Sequence, residues 1–175
     1  MGHDKGNYAK RVKWLILAIM LHESGYFASR REKGGGSAYS LSQMQPKAAA
    51  DAMCSKKRGK AIRDYLTYKK KNVACFVKEA KKIKKTGKWK DGPKLCALLI
   101  SDDLFCALLT RVYLGLHSGT IPPECGDPGN AAFPETAKET WLKQWKKVIN
   151  KKQTKAALCK QFEGKCKKLR KALEN

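Results

Sequence analysis

Glu23 closes the most hydrophobic run of the chain, "WLILAIML" (14–21), and Ser24 and Gly25 follow it. A carboxyl group held against apolar side chains keeps its proton to higher pH, because burial disfavours the charged form. Such a group can act as a general acid near neutral pH. Taken alone, a glutamate in the last turn of a helix is an ordinary surface residue, so its company carries the argument. Between residues 24 and 50 the one other acid is Glu32, in a loop that holds Gly34 to Gly36. The stretch "YSLSQMQPKAA" (39–49) comes next. Gln43 there can hold a ligand or a carboxyl group by hydrogen bonds, and Ser24 can bond either Glu23 or a ligand. Tyr39 can stack on a sugar ring or serve as an ordinary loop or core tyrosine.

The other chemistry-bearing residues are seven cysteines and three histidines. No C-x-x-C pair occurs, and His3, His22 and His117 do not stand at metal-ligand spacing, which argues against zinc. No cofactor is implied. Disulfides in an oxidising compartment are expected, with at least one cysteine left free or paired between chains. Buried free thiols in a cytosolic chain are the alternative. Cys159 and Cys166 share a helix face but lie about 10 Å apart along its axis, so each needs a partner elsewhere.

Charge sets the third constraint. There are 38 Lys+Arg against 15 Asp+Glu, a net +23, spread through strings such as "YKKKN" (68–72), "KKIKKTGKWK" (81–90) and "KKVINKKQTK" (146–155). Such a field draws in anionic polymers: nucleic acid, an acidic membrane surface or a bacterial wall. A merely solvating lysine coat is the alternative. Lysine outnumbers arginine heavily and no nucleic-acid motif is present, which argues against specific nucleic-acid binding.

The elements that must position these residues read as helices in one mainly α domain over 1–175, its motif core at about 10–150. The first helix runs from about Asn7 to Ser24. Basic residues before an eight-residue apolar run look like a secretory signal, but no small-residue cleavage site follows and the run is too short to span a bilayer. We expect a buried core helix and no transmembrane segment. "MGH" reads as an expression remnant in place of a removed signal. A loop covers 28–39, Ser42 or Gln43 opens the next helix, and Pro46 suits its first turn. Helices are expected at 59–70 and 73–85, a turn at 91–93, and a buried helix at "KLCALLI" (94–100). Ser101 is the expected N-cap of a helix over 104–116, with Asp102 and Asp103 suiting its positive end. A long loop over 117–134 precedes a helix at 135–150 with Trp141, Trp145 and Val148 on one face. A closing helix at 154–173 carries Leu158, Cys159, Phe162, Cys166, Leu169 and Leu173 as one stripe.

With these residues in view, the chain resembles lytic transglycosylases and goose-type lysozymes. Their pattern is Glu-Ser, a Gly/Ala-rich loop, then Gly-Leu-Met-Gln-Ile-x-Pro-x-Thr-Ala. "ESG" (23–25) and "SLSQMQPKAA" (40–49) are similar to it. Glu23 falls on the catalytic acid, Ser24 on its neighbour, Leu41 on the leucine, Gln43 on the glutamine, Met44 on the isoleucine, Pro46 on the proline and Ala49 on the alanine. Ser40 stands in place of glycine, and Ser42 in place of methionine. "SDDLFCALLTRVYL" (101–114) resembles the next block, ending in Tyr113-Leu114. The family's Tyr-Asn-Gly stretch has no clear match; Ile149-Asn150 or the loop over 117–134 takes its place.

The resemblance implies a lysozyme-like α fold with a peptidoglycan groove. Glu23 is then the single catalytic acid, and Ser24, Tyr39, Gln43, Met44 and Tyr113 bind substrate. It implies cleavage of the β-1,4 bond between N-acetylmuramic acid and N-acetylglucosamine with 1,6-anhydro ring formation, and a home in the periplasm or cell envelope. The partners implied are peptidoglycan glycan strands and components of a secretion machine. A small member of this kind looks like the specialised enzymes that open the wall for type IV secretion or conjugation. The alternatives are a catalytically weak wall-binding module of the same fold and a hydrolytic lysozyme.

Overall fold

The apolar run that ends at Glu23 forms the last turns of a long helix in the computed structural model of the chain, which describes residues 5–24, 38–116, 123–144 and 155–174. This helix, α1 (Lys5–Glu23), is followed by α2 (Pro46–Cys54), α3 (Lys60–Tyr68), α4 (Val73–Thr86), α5 (Pro93–Ser101), α6 (Asp103–Leu116), α7 (Phe133–Gln144) and α8 (Lys155–Glu174). Short 3-10 turns stand at Trp89–Asp91 and Pro123–Gly126. Among the described residues there is no strand, and one isolated antiparallel bridge joins Tyr39 and Met44. The mainly α class follows. No described helix is long and apolar enough to cross a membrane. The chain divides into two compact units, residues 23–116 and residues 1–22 with 117–175.

In the unit formed by 23–116, α2 is the central element and packs against both α4 and α6. Its sequence explains this. Ala49, Ala50 and Ala52 are fully buried, and their single methyl groups let two neighbouring helices approach closely at little cost in helix propensity. Pro46 occupies the first helical turn, where its missing N–H costs nothing. At the other end, the Arg63 guanidinium donates to the carbonyls of Met53, Ser55 and Lys56 at 3.4, 3.1 and 2.7 Å. A cation there satisfies carbonyls the helix leaves open and meets the negative end of its dipole. Gly59 fits the bend into α3 because a Cβ would lie 2.4 Å from the Ser55 carbonyl oxygen.

Side chains also accept from the first turns of α4, α5 and α6. Asn72 accepts from the Cys75 N–H at 3.1 Å and starts α4, which Gly87 ends at φ 72°. Glu79 reaches from α4 to accept from the Leu95 N–H at 2.8 Å, in the first turn of α5. Asp102, rather than the expected Ser101, caps α6: its Oδ1 accepts from the Phe105 N–H at 2.9 Å, while Ser101 is still inside α5. A carboxylate outbids a hydroxyl at a helix N-terminus because it carries full charge. Its other oxygen accepts from the Tyr65 hydroxyl at 2.7 Å, joining α3 to the start of α6.

In the other unit, α7 packs against α8 and against the 3-10 turn at Pro123–Gly126. Trp141 and Phe162 stack at 4.8 Å between ring centroids with a 17° interplanar angle, and both are fully buried. The His22 ring packs edge-on to Trp141 at 4.8 Å, so the end of the apolar run is anchored on an aromatic cluster. Lys165 of α8 donates to the His22 carbonyl at 3.2 Å. The expected stripe of α8 is present at Phe162 and Cys166, both fully buried. Trp145, Val148, Ile149 and Asn150 lie outside the described residues.

Candidate functional site

Glu23 is the last residue of α1 and is half-buried; Ser24, next to it, is 2% exposed. Met20 and Leu21, which precede His22, are buried. The glycine-rich loop expected over 28–39 lies outside the described residues up to 37. Chain description resumes at Ala38, in the same compact unit as Glu23.

Residues 38–45 form a tight turn rather than the expected start of a helix. Tyr39 and Met44 exchange both backbone bonds, at 3.1 and 2.8 Å, and close a loop over Ser40 to Gln43. Within it Ser40 sits at φ 71° and Gln43 at φ 48°, both left-handed, which is why the helix cannot open at Ser42 or Gln43 and waits for Pro46. The Gln43 side chain donates from Nε2 to the Ser40 carbonyl at 2.8 Å, and its backbone N–H bonds the same oxygen at 3.1 Å. One carbonyl therefore holds the turn closed against the cost of two left-handed residues.

Behind this turn lies a buried polar cluster. The Cys106 thiol of α6 donates to Ser40 Oγ at 3.1 Å and lies 3.4 Å from Ser42 Oγ, and the two hydroxyls are 3.4 Å apart. Ser40 and Ser42 are fully buried, and Cys106 is 1% exposed. Buried hydroxyls are tolerated only with partners, and these three supply each other.

The expected substrate residues are distributed unevenly. Tyr39 is half-buried with its ring tilted on Trp89, 5.8 Å between centroids. Met44 is 1% exposed and serves the core. Gln43 is half-buried at the tip of the turn. Tyr113 is half-buried two helical turns beyond Cys106 on α6; burial, and then the charge of Asp51 on α2, push its hydroxyl pKa up. Tyr113 lies about 10 Å along α6 from Cys106, the residue that contacts the turn.

Sequence reasoning missed the Ser40–Ser42–Cys106 cluster, although two serines spaced i, i+2 beside a leucine were a signal that both hydroxyls share a side. The expected disulfides are not present in this structure: none of the seven cysteines is bonded to another. Cys106 has hydroxyl neighbours, and Cys125 lies 3.9 Å from Thr140 Oγ1. Burial pushes Cys125 up to about 11 and Cys166 to about 12. Among the described residues no group of three or more His, Cys, Asp or Glu is placed to hold a metal ion. Compared with protein-family models, curated proteins and solved structures, the chain matches none.

Proposed function

We propose that this chain is a peptidoglycan lytic transglycosylase of lysozyme-like fold, with Glu23 as its single catalytic acid. The observation that carries this is the place of Glu23. It ends a buried apolar helix, half-exposed, next to a buried serine and in one compact unit with the turn that presents Gln43. The left-handed φ of Ser40 adds support, because the family pattern has glycine there, the residue that takes this conformation most readily.

In this mechanism Glu23 gives its proton to the glycosidic oxygen between N-acetylmuramic acid and N-acetylglucosamine as the bond breaks through an oxocarbenium-like state. The resulting carboxylate takes the proton of the muramic acid 6-hydroxyl, whose oxygen closes on C1 to give the 1,6-anhydro ring. One carboxyl group serves both steps, so no second acid is needed beside it. Gln43 and Tyr39 line the sugar's path, and the enzyme opens the wall locally for a secretion or conjugation machine.

A second reading is a wall-binding module of the same fold. It is favoured by the engagement of the Gln43 amide with Ser40 and by the burial of Met44, which leave fewer groups for substrate. Digestion of purified peptidoglycan with mass analysis of the soluble products separates these. Anhydro-muropeptides support the transglycosylase and reducing-end products indicate a lysozyme. Binding without any product indicates the module.

A further inference from the structure

Residues 56–94 carry 16 Lys and Arg against three acids, Asp64, Glu79 and Asp91. On α4 the lysines are ordered rather than scattered. Phe76, Ala80 and Ile83 face the core, while Lys78, Lys81, Lys82 and Lys85 are all exposed at i, i+3 and i+4 spacing on the opposite side. Two carboxylates, Glu79 on this helix and Asp51 of α2, have partners other than these four lysines. Glu79 accepts from the Leu95 N–H, and Asp51 pairs with Lys84 at 2.9 Å. Among the described residues no ion pair reaches Lys78, Lys81, Lys82 or Lys85. Like charges at this spacing repel and weaken the helix that bears them, so the stripe works against the fold unless an anion covers it.

We propose that the outer stripe of α4, Lys78–Lys81–Lys82–Lys85, is a docking surface for the carboxylate-bearing stem peptides of peptidoglycan; the choice of polymer rests on the wall-lytic reading above. The chemistry of the stripe favours this partner over nucleic acid. Lysine is a compact point charge that pairs with a carboxylate without needing the forked geometry of arginine. The stripe holds neither the arginine nor the aromatic rings on which unpaired bases stack. Four point charges in a row along one helix suit a flexible polymer whose single carboxylates are spaced along it.

Co-sedimentation with purified peptidoglycan over a salt series tests the surface. A variant with Lys78→Gln, Lys81→Gln, Lys82→Gln and Lys85→Gln is compared with one that removes the same charge from α8 (Lys160→Gln, Lys167→Gln, Lys168→Gln, Lys171→Gln). The α4 variant is expected to lose roughly tenfold in retention and to show a flatter salt dependence, while the α8 variant stays within about twofold of wild type. Amidation of the stem carboxylates reproduces the α4 loss with the wild-type protein. Circular dichroism checks the fold, and if the fourfold variant melts early, Lys81→Gln with Lys85→Gln reads the same loss at smaller size. Equal losses in both variants, retention indifferent to amidation, or displacement of the α4 stripe by duplex DNA in preference to peptidoglycan overturns the proposal. Retention lost on α4 without lytic products from wild type keeps the surface and sinks the lytic reading; products with equal losses do the reverse.

Discussion

Cys106 Sγ donates to Ser40 Oγ at 3.1 Å, so α6 holds a turn 66 residues away in its left-handed conformation. Cys106→Ala removes the donor and leaves two buried hydroxyls with one partner fewer. The expected cost is about 1–2 kcal/mol in urea unfolding. In a Ser40→Gly background the same substitution costs less, with a coupling of about 0.5 kcal/mol or more. Additive effects would show that the contact does not bind the turn.

Tyr65 and Asp102 make a stability switch at high pH. Burial, followed by the bond to the Asp102 carboxylate and its charge, pushes the Tyr65 hydroxyl up to about 12. The folded state therefore keeps a proton that the unfolded chain releases near 10, and this part of the stability falls as pH rises from about 10 to about 12. Asp102 behaves oppositely. Burial raises its pKa, but the bonds from the Phe105 N–H and the Tyr65 hydroxyl outweigh this and hold it below the usual carboxylate range. Its contribution is present above the unfolded carboxyl pKa and is lost as pH falls through the lower folded value. Tyr65→Phe is expected to flatten the alkaline limb of the denaturation-midpoint profile relative to wild type, and to cost about 1 kcal/mol at neutral pH.

Arg63 closes the C-terminal end of α2 through three carbonyls. Arg63→Ala is expected to lower stability by about 1–3 kcal/mol, and Arg63→Lys to recover little, because a single ammonium cannot reproduce the fork. Thermal unfolding followed by circular dichroism reads both.

The seven cysteine thiols divide by burial. Cys54, Cys75, Cys96 and Cys159 are half-buried, whereas Cys106, Cys125 and Cys166 are buried. A thiol reagent in the native state is expected to label the first four in a fast phase and the other three only with unfolding, since the thiolate is the reacting form and burial suppresses it. Three or fewer groups reacting fast under reducing storage would contradict the described burial.

The helices were legible because their cores are periodic and their ends carry strong punctuation. Phe76, Ala80 and Ile83 mark the core face of the helix expected at 73–85, and Pro46 stands in the first turn as expected, while Pro93, expected within a turn at 91–93, in fact begins α5. The turn at 38–45 was not legible. Its shape depends on Ser40 and Gln43 in conformations that their residue types disfavour, held by a cysteine remote in sequence. The cap of α6 was misplaced by one residue because serine and aspartate compete for the same role, and the charged carboxylate of Asp102, whose other oxygen also accepts from the distant Tyr65 hydroxyl, takes it while Ser101 stays inside α5. At the candidate site, the half-buried end of the apolar helix was readable at Glu23, while the core role of Met44 and the inward-turned amide of Gln43 follow from the turn's own closure.

The most direct measurement compares wild type with Glu23→Gln on purified peptidoglycan, with soluble products separated and weighed. The account predicts 1,6-anhydro-muropeptides from wild type and at least about a hundredfold loss in the variant, the scale of a missing general acid, with binding to the polymer retained. Undiminished cleavage by Glu23→Gln would contradict it.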